Sequence, residues 1–304
     1  MNTHLCAPVL VHLFNRPNMV IDLMQQIRGS KPKKIYISSD WARKEKPGEA
    51  DLVNESRSLA LKEVDWDCEV KTLFQDKNLG TRYAMMAGIT WFFENEEEGI
   101  ILEEDCLPNQ SFFNFCTELL AYHRYDPRIM HITGTNQQFG NKIGSASYYY
   151  SNFPSIWGWA SWRRVWDKYD PKMELFPEFD AEGMIENVFF DQVIIDDLKQ
   201  GLRLTYEDKN MTWDHHLGFA IAINNGLCIV PNVNLVSNIG VKKIGANQLE
   251  SVVGNIPRIE MTDNIIHPDF YIANKAADLN QITWSYEDTS LDEKEKYKYK
   301  VYQK

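Results

Sequence analysis

The stretch GIILEEDCLP, residues 99–108, drives an apolar run, Ile100-Ile101-Leu102, into three adjacent acids, Glu103, Glu104 and Asp105, and then into Pro108. Adjacent carboxylates repel one another, so either water or a cation must relieve the crowding. Hard divalent cations such as Mg2+ and Mn2+ take oxygen ligands. They keep several waters and are held by one or two carboxylates together with phosphate oxygens. Carboxylates at the end of a buried strand therefore suit a cation that carries a diphosphate, and that cation would neutralise charge on the diphosphate as it departs. From the triplet alone, a solvated acidic turn is the plain alternative.

The neighbouring elements must place this triplet. Ala7–Phe14 (APVLVHLF) reads as a strand stopped by Asn15-Arg16-Pro17. Met19–Arg28 has helical spacing, with Val20, Leu23, Met24 and Ile27 on one face. A second strand, Lys34–Ser38, stops at Ser39-Asp40, and residues 42–51 (ARKEKPGEAD) read as a polar loop. Leu52–Val64 is helical, Cys68–Phe74 is a third strand, and Asn78-Leu79-Gly80 precedes an amphipathic helix that runs through Phe93. The strand Gly99–Leu102 follows. Alternation at this spacing predicts βαβ units and a mostly parallel sheet flanked by helices. Ligands of such sheets bind beyond the carboxyl ends of the strands. Asn15-Arg16, Asp40, Lys77-Asn78 and Glu103–Asp105 should therefore converge on one edge. Further along, Phe112–Tyr125 reads as a helix, His131–Gly134 as a short strand, and residues 148–169 as a long aromatic region containing WGWASW. Val188–Gln200 and Asp214–Asn224 are helical, and Cys228–Pro231 is a late strand. The end, including DEKEKYKYK, reads as a solvated helix or frayed tail.

The bulk properties narrow the class. The chain of 304 residues is 44% hydrophobic and 25% charged, ordinary values for a globular domain with a substantial core. A net charge of −11 argues against a general nucleic-acid partner. No apolar run approaches the roughly 18 residues that span a membrane, and the N-terminus lacks the basic start and cleavage site of a signal peptide. The five cysteines are scattered without CxxC spacing, which argues against zinc and a disulfide framework and for a reducing cytoplasm.

An ordered set of stretches resembles the GT-A-fold glycosyltransferases that use nucleotide-diphospho-sugars. It is similar to the N-acetylglucosaminyltransferase of N-glycan branching and its bacterial relatives. The stretches are LVHLFNRP (10–17), YISSDW (36–41), DKNLGTRYAMMAGITWFF (76–93), GIILEEDCLPNQSFFNF (99–115), WGWASWRRVW (157–166), TWDHHL (212–217) and NLVSNIG (234–240). The resemblance implies a single α/β domain with a Rossmann-like mixed sheet, over residues 1–245. A C-terminal extension, 246–304, would pack on that domain and carry the charged tail. It makes the triplet the metal-binding DXD element, with Asp105 as the direct ligand of Mn2+ or Mg2+, Glu104 beside ribose or metal and Glu103 on the nucleotide-sugar side. It places Asn15 and Arg16 against base and ribose. Asp40 would accept from uracil N3–H, Asn78 would lie on the nucleotide side, and Gly80 and Arg82 would lie near ribose or diphosphate. From the residues alone, Arg16 before Pro17 can be a turn, and Asp40 and Asn78 can be caps or turn residues.

Sugar transfer needs a group that takes the proton of the acceptor hydroxyl. Asp214 of TWDHHL, in the place of the family's WDD-type motif, is that candidate base; its rival role is a helix N-cap. Trp157 and Trp159 are candidates for the sugar and acceptor wall, with an aromatic core as the alternative. Asp191-Gln192 is a secondary polar pair, with a helix surface as its plain reading. The chain departs from the family after Gly240, where VKKIGANQLE holds no histidine for the metal; Lys242 and Lys243 would offer charge to the diphosphate, and His267 is the next histidine. The implied activity is inverting, metal-dependent transfer from a UDP-sugar to a glycan or lipid-linked saccharide, as in polysaccharide biosynthesis. A lipid-linked acceptor would bring the protein to the inner face of the membrane, where KYKYKVYQK would touch anionic lipid. The alternatives are a nucleotide-sugar nucleotidyltransferase, whose glycine-rich loop is missing from LFNRPNMV, and an inactive carbohydrate-binding protein of the same fold.

Overall fold

The structure, a computed structural model, describes residues 6–209, 212–240, 255–261 and 264–287. Strand β1 (Val9–Leu13) begins the sheet, and α1 (Pro17–Ser30) follows with Pro17 in its first turn, where a missing N–H costs nothing. The α1 residues Val20, Leu23, Met24 and Ile27 are buried, as the helical spacing predicts. The helix ends at Lys31, which turns left-handed (φ 45°) and donates its N–H to Ile27 O. Next come β2 (Lys34–Ser39), α2 (Glu49–Lys62), β3 (Glu69–Phe74), α3 (Thr81–Asn95) and β4 (Glu98–Glu103). The short β5 (Cys106–Pro108) leads into α4 (Gln110–Tyr122), which is capped by Asn109 Oδ1 accepting from Phe112 N at 3.1 Å.

The second half contains β6 (Ile129–Thr133), β7 (Tyr148–Ser151) and β8 (Trp159–Trp162). It continues with α5 (Arg163–Trp166), α6 (Phe176–Ala181), α7 (Ile185–Val188), α8 (Gln192–Tyr206) and α9 (Asp214–Ile223). Strands β9 (Leu227–Pro231) and β10 (Val236–Asn238) and helix α10 (Lys275–Glu287) complete the order.

Eight strands form one mixed sheet in the order β3-β2-β1-β4-β8-β6-β9-β7. β3, β2, β1 and β4 pair in parallel, as does β6 with β9; β8 runs against β4 and β6, and β7 against β9. The central strands are buried on both faces, which is why they read as continuous apolar runs. This is the mixed, mostly parallel, helix-flanked sheet that the sequence predicts. A second sheet pairs β10 with β5, Asn238 opposite Cys106, and so brings the NLVSNIG segment to the acidic triplet.

Three local expectations change. The aromatic region contains two strands, β7 and β8, and β8 inserts Trp159–Trp162 between β4 and β6. The polar loop 42–51 ends in the first turn of α2, where Glu49 is buried. The helix expected over Val188–Gln200 is broken at Phe189, whose extended backbone (φ −118°, ψ 155°) turns its ring onto Phe153 with centroids 4.5 Å apart. Asp191 and Gln192 fall at that break: Asp191 Oδ1 accepts from Ile194 N at 3.3 Å, and Gln192 Nε2 donates to Asp196 at 2.8 Å, so the pair organises the start of α8.

Glu260 and Asp278 reach α4 and β7. Glu260 accepts from Gln110 N and Ser111 N at the start of α4, and Asp278 accepts from Ser151 Oγ at 2.6 Å. Lys242, Lys243 and the tail DEKEKYKYK lie outside the described residues. Among the described residues no helix is long and apolar enough to cross a membrane.

Candidate active site

The carboxyl ends of β1, β2, β3 and β4 share one edge because the four strands are parallel, and Leu13 stands level with Ser39, and Ser39 with Phe74. Asp40 is the hub of one part of this rim. Its Oδ1 accepts from Trp41 N (2.8 Å) and Leu79 N (2.9 Å); its Oδ2 accepts from Gly80 N (3.0 Å) and Asn78 Nδ2 (2.9 Å). A carboxylate offers about four acceptor positions, and here the chain fills them all. The hydrogen bond expected from uracil N3–H therefore finds no free lone pair on Asp40. Its observed work is to hold the Asn78–Gly80 turn. Gly80 stands at φ +79°, a conformation that L side chains adopt only with strain, and this lets α3 start directly under the turn. Asn15 is tied down likewise: its Nδ2 donates to Glu49 Oε1 at 2.8 Å, and the same carboxylate grips the Arg43 guanidinium. The Arg43 guanidinium, more than the Asn15 amide, pulls Glu49 down to about 2.

The acidic triplet follows β4. Glu103 is level with His12 of β1, and Glu104 N donates to His12 O at 3.0 Å. Glu104 turns inward and accepts from Phe14 N at 2.7 Å; burial raises its pKa. Asp105 turns to the surface and takes Arg16 Nη1 at 2.6 Å, with Arg16 Nε 3.7 Å from Glu104. Gly240 roofs this pair. A Cβ there would lie 2.2 Å from Asp105 Oδ2 and 2.7 Å from Arg16 Nη1, so any other residue would push this pair aside. The roof is anchored by Ile239 N on Asp105 O at 2.8 Å. The Glu103 carboxylate makes no hydrogen bond among the described residues. Burial first, then the Asp105 carboxylate and then that of Asp214, push it up to about 8, a crowding of negative charge that a bound cation would relieve.

That influence of Asp214 on Glu103 joins segments far apart in sequence. Asp214 is the first residue of α9, and the cap position is Trp213, so the rival role as N-cap is not the one adopted. Its carboxylate makes no hydrogen bond among the described residues. The start of α9 is fixed by Tyr169 OH donating to Trp213 O at 3.0 Å, and by Arg82, which bonds His216 Nε2 at 3.0 Å and pairs with Asp208. Arg82 is thus bound to α9 and to Asp208 rather than free for a phosphate. His216 is held neutral, lowered to about 4 chiefly by burial and then by Arg82.

The two tryptophans part company. Trp159 is 1% exposed and stacks between His131 (5.2 Å) and Trp213 (5.7 Å), so it belongs to the core and not to a sugar wall. Trp157 is partly exposed and lines a cavity of about 600 Å³ together with Asp214. His267 stacks on Tyr122 at 3.9 Å and bonds Tyr148 OH, so the structure gives it no place beside the triplet. Glu49, Asp208 and Gly240 were missed as rim residues; only Gly240, inside NLVSNIG, carried a sequence signal.

Among the described residues no group of three or more histidine, cysteine or acidic side chains is arranged to enclose a metal. The oxygen donors on hand, Asp105 with Glu103 beside it, nonetheless fit a hard cation that takes its remaining ligands from phosphate and water. No protein-family model matches the chain, and no curated protein matches its sequence. Among solved structures, it is similar to the mannosyltransferase PcManGT from Pyrobaculum calidifontis, in complex with GDP-Man and Mn2+. The identity is 10% and the TM-score 0.37, over 55% of this chain and 47% of that one, so the chain spans under half of that protein's length. It is also similar to HddC from Yersinia pseudotuberculosis (11%, TM-score 0.34, 57% of this chain and 86% of that one). A third is a UDP-glucose pyrophosphorylase complexed with UDP-glucose (9%, TM-score 0.32, 54% and 79%).

Proposed function

We propose that the protein transfers a sugar from a nucleotide-diphosphate donor, a UDP-sugar, to an acceptor hydroxyl, with inversion and with Mn2+ or Mg2+ bound. The observation that supports this reading is Asp105 at the carboxyl end of β4, with Glu103 two residues before it, the Arg16 guanidinium 2.6 Å from its oxygen and the β10 end anchored on its backbone by Ile239 N. Asp214, at the start of α9 on the wall of a cavity, offers a carboxylate fit to act as a base, and Asp105 with Glu103 offers oxygens fit to hold a cation.

Asp105 would hold the cation with Glu103 as a second oxygen donor, and the cation would neutralise charge on the departing diphosphate. Arg16, half-exposed and already on Asp105, would add a guanidinium to the diphosphate. Asn15, Asn78 and Gly80 would border the nucleotide, held in place by Glu49 and Asp40. Asp214 takes the acceptor hydroxyl's proton as that oxygen bonds to the anomeric carbon. The bond from that carbon to the diphosphate oxygen breaks in the same displacement, so no covalent enzyme intermediate forms.

The test is sugar release or transfer from a panel of UDP-sugars with and without Mn2+. Mn2+-dependent release supports the reading. Exchange of pyrophosphate into a nucleotide sugar would replace it with a nucleotidyltransferase, and glycan binding without turnover would replace it with a binding protein.

A further inference from the structure

The cavity beside Asp214 is not explained by donor binding. Its volume of about 600 Å³ is in the range of small-molecule sites. Asp214, His215 and Trp157 lie together on its wall; Gln137, Asn152, Ser155, Asp197 and Gln281 also reach it, and the rest is apolar, with Pro154, Ile185, Ile194, Leu198 and Leu202 beside three phenylalanines. A saccharide that filled its apolar part, between Ile185, Ile194, Leu198 and Leu202, would lose water from its hydroxyls and find no partners there, at a cost for each one left unpaired.

Two glycines in helix interiors strengthen the case. Gly201 of α8 and Gly218 of α9 both line the cavity. Glycine inside a helix costs roughly 0.5–1 kcal/mol relative to alanine. At Gly201 the reason is contact, because a Cβ would come within 3.1 Å of the His215 ring. At Gly218 nothing in the protein needs the space: an added Cβ meets only Pro154 Cγ, at 3.8 Å. A helix-weakening residue that leaves room at a cavity wall points to an occupant of that room.

We propose that this cavity takes an alkyl chain carried by the acceptor, with the acceptor's sugar hydroxyl at Asp214. The inference rests on the transferase reading for the role of Asp214 but not for the existence of the pocket. It narrows the acceptor to saccharides joined close to their reacting hydroxyl to an aliphatic group.

The test is calorimetric binding of octyl, phenyl and methyl β-glucosides to the full chain, below micellar concentration. Octyl glucoside should bind at least about tenfold tighter than methyl glucoside, as burial of several methylenes requires. Gly218→Leu, which extends a side chain into the cavity, should abolish that preference. Gly218→Ala, which adds one methyl and favours the helix, should retain part of it and confirm by its thermal melt that the site tolerates substitution. Equal binding of octyl and methyl glucosides, a phenyl glucoside that binds as tightly as octyl, or an octyl preference that survives in a folded Gly218→Leu would each overturn the proposal. Sugar release from donor by the parent chain reports separately. If the octyl preference is present but no donor is turned over, the transferase reading fails and with it the assignment of the alkyl chain to an acceptor, while the pocket stands as an alkyl-binding site.

Discussion

From β3 to β4 the sheet is parallel and its rim is knit by charge, whereas from β8 to β7 it is mixed and the flank beside it is apolar. In the first half, Asp40, Glu49 and Glu104 spend their oxygens on backbone N–H groups, Asn15, Asn78 and Arg43, leaving Asp105 on the surface with Arg16. In the second half, α7, α8 and α9 pack through Ile185, Ile194, Leu202 and Phe219 and leave a cavity with Asp214 on its wall. A rim built this way suits a small charged ligand. A flank built from short helices suits a bulky apolar one. The proposed site lies where the halves meet, at β4 and the start of α9.

The sharpest way to break this comparison is at Asp214. If it is the base, Asp214→Asn should lower sugar transfer by about 10²- to 10⁴-fold while leaving nucleotide binding to the first half intact. Equal loss of transfer and binding would mean that the two halves do not divide the work. Trp157 and Trp159 come next. Trp159→Ala should destabilise the fold by roughly 3–5 kcal/mol in urea denaturation, the usual cost of emptying a buried aromatic site. Trp157→Ala, at a partly buried side chain on the edge of the core, should cost clearly less, and similar values for both would erase the distinction between core and wall.

Buried histidines give the comparison a pH axis. Burial lowers His131 from 6.5 to about 4. A depressed folded pKa favours the unfolded chain as it gains a proton, so stability is full above pH 6.5 and is lost as pH falls towards 4. His131→Gln should reduce that loss by roughly 3 kcal/mol, read from urea midpoints across the window. An unchanged pH slope contradicts this. The smallest effect is expected at Asp40. Asp40→Ala leaves three backbone N–H groups and Asn78 without their acceptor and should cost about 2 kcal/mol, together with weaker nucleotide binding. Loss of stability alone, with nucleotide affinity kept, would detach the Asn78–Gly80 turn from the ligand.

The first half was the more legible in sequence because its signals are local. Apolar runs such as VLVHL and KIYIS, each stopped by polar residues, fix parallel strands, and parallel strands place their ends together. The convergence of Arg16, Asp40, Asn78 and Asp105 follows from that alone. What each side chain does there was less legible. Asp40 looks like a ligand-binding carboxylate, but its lone pairs are filled by a loop 39 to 40 residues away. The second half was poorly legible. Its strands β7 and β8 are four residues each, rich in Tyr and Trp, and lie in an aromatic stretch whose pattern does not separate strand from core cluster. Glu49 was hidden for the opposite reason, since a charged residue in ARKEKPGEAD reads as solvated until Asn15 and Arg43 are folded against it.

The central claim is that Asp105 anchors a cation-bound diphosphate at the rim, and calorimetric titration of UDP with and without Mn2+ tests it most directly. The account predicts that the parent chain binds UDP tightly only with Mn2+, and that Asp105→Asn loses at least about tenfold in affinity, as expected when a charged ligand oxygen is removed. UDP binding of equal strength with and without Mn2+, unchanged in Asp105→Asn, would contradict it.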